Sequence, residues 1–330
     1  MIYLLLRGKQ PTDRDPSETI FNRIDEVDDM WTQLLYSMLG ENDEGYVAYW
    51  GGNRSHKLAE NLTEIRVHDF KSIEFPFTPN VILCRGGFSE YHKVLKRYPN
   101  AFKIYYGAGK RYLPQKGFTD YQLILQDSFE QLRKCKALYP DIPVSLFVKP
   151  AADNIMYPYD NARKKVYDVC FPANGSQYKI KGHEFVYNSN IPYSILNLGN
   201  DSPCTKPTNV VSHRVLRKDI AKEYAKCKCG IVCTSSAVDS CPRVIPEMLA
   251  CDLPIIVLEG VRFWCDKYIN EKTGIIASKD NFWNAVDYVL NNLDKFKPRE
   301  YYLDQLSLKK SAFEINNTIN AVKDGERNFR

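Results

Sequence analysis

Asp239 and Glu247 stand eight positions apart, with Arg243 midway between them. Apolar runs flank this stretch at residues 231–233 and 254–258, each the length of a buried parallel strand. Met248, Leu249 and Ala250 form a helix too short to stand without packing. A loop feeding such a helix presents unpaired amide donors, which suit a diphosphate. A carboxylate just inside the helix can accept hydrogen bonds from two vicinal hydroxyls, as a ribose presents them. Acids near a helix start also stabilise the helix itself, so the spacing alone leaves both readings open.

The elements that must position these groups alternate along the chain. Strands are expected at residues 2–6, 46–50, 81–84, 102–106, 121–125 and 144–148, and again at 167–171, 194–198 and 231–233. Between them, apolar residues at helical spacing predict one amphipathic helix over residues 20–39, with others at 129–138 and 281–293 and a last one from 299 to 322. Strands alternating with helices call for parallel, doubly wound sheets. The chain's 330 residues suffice for two domains of ordinary size, with 44% hydrophobic and 26% charged residues, as in soluble globular proteins. A net charge of +5 permits an anionic partner, nucleic acid included, without indicating one.

Several chemistries fall away. Gly107-Ala-Gly-Lys-Arg111 lacks the spacing and the hydroxyl residue of a P-loop, and no G-x-G-x-x-G follows a strand. Cys227, Cys229, Cys233, Cys241 and Cys251 do not have the spacing of paired zinc knuckles and read as small buried side chains. Ten cysteines with no secretion signal and no transmembrane segment imply a cytoplasmic protein, with a peripheral membrane position still open.

The stretch from Asp239 to Glu247, followed by Leu249-Ala-Cys-Asp-Leu-Pro-Ile-Ile256, resembles the acidic signature of the family 4 retaining glycosyltransferases. The segment Asn270-Glu-Lys-Thr-Gly-Ile-Ile-Ala277 continues the likeness. The resemblance implies a GT-B fold: an α/β chain with two Rossmann-like doubly wound parallel-sheet domains facing a cleft. It places an acceptor-side domain at 1–150, a nucleotide-sugar domain at 151–298, and a C-terminal helix at 299–330 returning to the first domain.

Site residues follow from the same resemblance. Lys181-Gly182 matches the family's Lys-Gly pair at the diphosphate, although the Arg that precedes it in the family is missing; Lys179 or Arg243 is then the compensating cation. Glu247 is assigned to the ribose hydroxyls and Asp239 to the donor sugar, so Asp239, Lys181 and Glu247 form the expected catalytic set. Backbone at Gly8, Ser240 and Cys241 would approach sugar or phosphate. The family's histidine after the strand at 102–106 is absent, and Tyr106 and Gly107 stand at that place.

The implied reaction transfers a sugar, with retention, from a UDP- or GDP-sugar to a hydroxyl acceptor: a glycan, a lipid-linked sugar, a protein or modified DNA. It requires no metal and no cofactor. A nucleotide-sugar epimerase and a binding protein without turnover are the alternatives, the latter suggested by Asp239 standing where the family has Glu.

Overall fold

The computed structural model describes residues 1–9, 23–52, 54–86, 90–107, 120–159, 165–234, 242–259 and 268–325. They divide into two compact units, residues 1–148 with 311–330, and residues 149–310.

Unit 1 is built on strands β1 (Ile2–Lys9), β2 (Glu44–Trp50), β3 (Arg54–Ala59), β4 (Leu62–Val67), β5 (Val81–Arg85), β6 (Phe102–Gly107), β7 (Leu123–Gln126) and β8 (Val144–Leu146). They lie in the order β3-β4-β2-β1-β5-β6-β7-β8, and every neighbouring pair is parallel except β3 with β4. The apolar β1 core of Leu4, Leu5 and Leu6 is fully buried, which a strand covered on both faces requires. One face packs Leu4, Leu6, Ile82, Cys84 and Ile124 against helices α2 (Tyr91–Arg97) and α3 (Phe129–Leu138) through Val94, Leu95 and Leu132.

Two departures from the expected elements have local causes. The helix predicted over residues 20–39 is a short 3-10 turn, Ile24–Glu26, followed by α1 (Met30–Met38). Asp29 accepts from the backbone N–H of Thr32 at 3.1 Å, and this N-cap starts the helix where the periodicity alone would have continued it upstream. The β3–β4 hairpin was not anticipated, because Arg54-Ser-His-Lys carries no apolar alternation. That polar sequence suits β3, the sheet's exposed edge.

Unit 2 holds β9 (Tyr167–Phe171), β10 (Ile195–Leu198), β11 (Val210–His213), β12 (Cys227–Val232), β13 (Ile255–Leu258) and β14 (Gly274–Ala277), all parallel, in the order β11-β10-β9-β12-β13-β14. Numbered by appearance within the unit, that order is 3-2-1-4-5-6, the Rossmann order. Setting aside the antiparallel β3, unit 1 repeats it and adds a seventh strand, β8. Each sheet reverses direction beside its first strand, between β1 and β5 and between β9 and β12. Ligands of such sheets bind beyond the carboxyl ends of the strands at that reversal.

The single last helix expected over residues 299–322 is two helices, α9 (Pro298–Gln305) and α10 (Leu308–Lys323). Asp153 fixes the break: it accepts from the Tyr302 hydroxyl and from the backbone N–H of Leu308, the latter at 3.1 Å. From Ser311 onward, α10 belongs to unit 1, where Ser311 donates to the Val148 carbonyl at 2.9 Å and Asn316 to that of Met38 at 3.0 Å.

Candidate functional site

At the reversal in unit 2, β9 ends at Phe171 and the chain turns through Gly175–Gln177 into the single-turn helix α4 (Tyr178–Lys181). Gly182 caps α4 with a φ of +80°, a left-handed conformation that favours glycine, and α5 (His183–Tyr187) follows at once. A Cβ at Gly182 would lie 2.7 Å from both the Cβ and the carbonyl oxygen of Cys233, the residue after β12. Nearby, a Cβ on Gly175 would meet the Asp201 carbonyl at 2.2 Å, and one on Gly199 the Ala173 carbonyl at the same distance. The carboxyl ends of β9, β10 and β12 are thus drawn together as bare backbone.

Lys181 leaves this turn half-buried, directly before Gly182, while Lys179 is exposed with its ammonium 5.7 Å from the centre of the Tyr178 ring. His183 is fully buried, edge-on to Phe171 and Tyr187 at 5.0 and 5.3 Å, and burial lowers its pKa. It is therefore a neutral packing residue.

Glu247 sits in α7 (Val244–Ala250) and is only 3% exposed. Its carboxylate is held from the turn after β11, where the Nη2 of Arg217 donates to its Oε1 at 2.7 Å, the two side chains being 19% and 4% exposed. Burial, and next the Glu247 carboxylate, push the nearby Tyr224 hydroxyl well above its ordinary pKa. Arg243 occupies the N-cap position of α7 on the exposed side, and its carbonyl accepts from the Glu247 N–H at 3.2 Å.

Sequence reasoning missed Arg217. A carboxylate inside an apolar helix signals that some cation must face it, but nothing in the spacing singles out Arg217, 30 positions away.

Asp239, Ser240 and Cys241 lie outside the described residues. Gly8, Tyr106 and Gly107 belong to unit 1, the remaining candidates to unit 2. Gly8 stands at the carboxyl end of β1, after a register shift, opposite Tyr49. The Tyr106 side chain is corrected to a core role. It is fully buried, donates to Asp127 Oδ2 at 2.9 Å, and packs 4.3 Å from Trp31 and 5.1 Å from Phe147 by ring centres.

Cys227, Cys229, Cys233 and Cys251 are buried, and desolvation pushes the last three thiols upward. Among the described residues, no three His, Cys, Asp or Glu side chains are grouped to hold a metal ion, and no helix is long and apolar enough to cross a membrane.

No family model and no curated protein matches the sequence. Solved structures do match in shape. Sucrose-phosphate synthase from Thermosynechococcus elongatus superposes with a TM-score of 0.70 at 11% identity, covering 98% of this chain and 100% of its own. A glycosyltransferase from Rickettsia africae gives 0.69 at 11% identity, over 98% and 99%. The fold is GT-B. An alpha-glucosyltransferase in complex with UDP shares this GT-B fold over 98% of the present chain and 99% of its own, at a TM-score of 0.65 and 10% identity. The expectation of two Rossmann-like parallel sheets therefore holds among the described residues, apart from the antiparallel β3.

Proposed function

We propose that the protein is a retaining glycosyltransferase of the family 4 type, moving a sugar from a nucleoside diphosphate sugar to a hydroxyl acceptor. The observation that carries this reading is the turn at Gly182. There the chain that follows β9 packs on the backbone after β12, at Cys233, with Lys181 directly before it, which suits a diphosphate approached by main chain and met by one cation.

In this reading unit 2 is the donor side and unit 1 the acceptor side. Lys181 balances the diphosphate, assisted by Arg243 or Lys179. Glu247 accepts from the ribose hydroxyls through the oxygen that Arg217 does not hold. Asp239 is assigned to the donor sugar hydroxyls, and Gly8, Ser240 and Cys241 are assigned, by their backbone, to sugar or phosphate. The departing phosphate helps deprotonate the acceptor, so neither a protein nucleophile nor a metal is called for; preorganised cations and amides stabilise the charge that develops.

UDP-sugars are the first donors to try, since the alpha-glucosyltransferase of the same fold was solved with UDP. The test incubates the protein with UDP-, GDP-, ADP- and dTDP-sugars and follows both thermal stabilisation and slow donor hydrolysis. One donor is expected to stabilise and be hydrolysed, with both effects reduced in Glu247→Gln. Absence of stabilisation by every donor would end the reading.

A further inference from the structure

Glu247 lies one turn from the carboxyl end of α7, and that end is bound to a second helix. α7 is seven residues long and contains Pro246, which brings no N–H, so its own hydrogen bonds are too few to fix it. It closes in a Schellman turn: the Leu253 N–H donates to the Met248 carbonyl at 3.0 Å and the Asp252 N–H to that of Leu249 at 3.1 Å. Such a turn needs one left-handed residue, ordinarily glycine. Here Asp252 takes that place with a φ of +58°, the only non-glycine residue among those described to have a positive φ.

The turn leaves over the buried carbonyl of Ala250, and a residue distant in sequence meets it. Arg299, the second residue of α9, donates from Nη1 to the Ala250 carbonyl at 2.7 Å and to the Met156 carbonyl at 3.2 Å. A guanidinium at a helix carboxyl end satisfies an orphan acceptor and opposes the negative end of the dipole. In return the Asp252 carboxylate accepts from the backbone N–H of Arg299 at 3.0 Å, at the amino end of α9. Each helix thus supplies the other's missing partner. A glycine at position 252 would ease the backbone but could not make the return bond, which accounts for an aspartate in a left-handed turn.

α9 is itself anchored. Tyr302, one turn on, is fully buried with its ring centre 5.6 Å from the Arg299 guanidinium. Its hydroxyl accepts from the Ala151 N–H at 3.0 Å and donates to Asp153. Arg299 and Tyr302 therefore fasten α7 to residues 151–156, all inside unit 2. A helix as short as α7 moves as one piece, so where Ala250 is held decides where the Glu247 carboxylate stands.

We propose that Arg299 is a positioning residue of the donor site. Through the Ala250 carbonyl, and with Asp252 as the return bond, it sets the Glu247 carboxylate where a ribose can meet it. The proposal rests on the donor reading for the role of Glu247. It goes beyond that reading in making nucleotide affinity depend on a side chain at the opposite end of the helix.

Hydrogen exchange of the full chain without ligand, and calorimetric titration with UDP, test the tether and its effect separately. In Arg299→Gln the α7 amides should exchange about tenfold faster than in wild type, with those of α8 (Phe282–Asn291) unchanged. The Kd for UDP should rise about tenfold as well. Arg299→Lys, which keeps a cation and its donors in place, should recover part of both losses. Asp252→Gly distinguishes positioning from general stability and serves alone if Arg299→Gln does not fold. It relieves the left-handed backbone, so Tm should not fall, while α7 exchange and the UDP Kd each rise about threefold. Asp252→Asn, which tolerates that backbone and keeps an acceptor oxygen, should recover most of both.

Wild-type α7 exchange in Arg299→Gln and Asp252→Gly, with UDP bound normally, would overturn the proposal and leave the donor reading intact. A UDP Kd that merely follows Tm across the variants would also overturn it, by reducing the contacts to a structural role. Faster α7 exchange in a chain that binds UDP in no form would defeat the donor reading, and the positioning role with it.

Discussion

The two sheets share a strand order yet build their carboxyl edges from different materials. In unit 1 the charge grows from the strands themselves, as Arg7, Arg66 and Arg85, with Arg7 paired to Asp29 and Arg66 to Glu64. In unit 2 the central strands end in apolar residues, Phe171 and Val232, and glycines in the turns bring main chain together instead. Topology therefore fixes where an edge lies but leaves its chemistry free. A side-chain edge depends on buried ion pairs and should be sensitive to charge deletion and to acid. A backbone edge depends on the absence of side chains and should be sensitive to a single added methyl group.

The largest expected effect is on the side-chain edge. Asp29→Ala strands Arg7 without its partner and should destabilise unit 1 by about 3–5 kcal/mol, read from denaturant unfolding. Burial disfavours the Asp29 charge, but Arg7 and then Arg85 outweigh it and hold the carboxyl far below the usual carboxylate range. A group depressed in the folded state contributes stability that is complete above its unfolded pKa, about 4, and is lost as pH falls below that value. Wild-type stability should thus drop through that acid window, and Asp29→Asn should flatten the drop. An unchanged acid limb would deny the pair its role.

Next in size is the backbone edge. Gly182→Ala must adopt a φ of +80° and place its methyl 2.7 Å from Cys233, so a loss of about 3 kcal/mol and of nucleotide binding is expected. Wild-type behaviour in thermal unfolding and UDP titration would show that the turn can open at little cost.

Smaller again is the effect of breaking the Arg217–Glu247 ion pair of unit 2. Glu247→Gln or Arg217→Met alone should each cost about 2 kcal/mol, and the double variant clearly less than the sum. Additive losses would mean that the 2.7 Å contact contributes nothing to stability. Smallest in stability is Lys181→Ala, within about 0.5 kcal/mol, although UDP binding should weaken about tenfold. A protein that binds UDP undiminished without Lys181 would remove it from the diphosphate.

The sequence revealed what is local. The Leu4 to Leu6 run, the strand ends around Gly230 and Ile255, and the Lys181-Gly182 turn could be read from spacing or likeness. What stayed hidden was set by partners distant in sequence. Arg217 reaches Glu247 across 30 positions, and nothing near either residue announces the other. Arg66 sits in β4, a strand not anticipated, and alternation tells which residues share a face but not whether that face is covered. Asp29 cut short a helix because its side chain competes for the Thr32 amide, an effect that apolar periodicity does not register.

The attachment of α10 has a further consequence, in the order of synthesis. Residues from Ser311 onward complete unit 1, yet they are made after all of unit 2. Emerging from the ribosome, the first sheet must wait for its final helix through the making of 162 residues, from Lys149 to Lys310, at about 5–20 residues per second. Unit 2, continuous in sequence, can close first. Residues 1–148 thus belong to a unit completed only after unit 2, and a message that stops before Ser311 leaves unit 2 intact and unit 1 open.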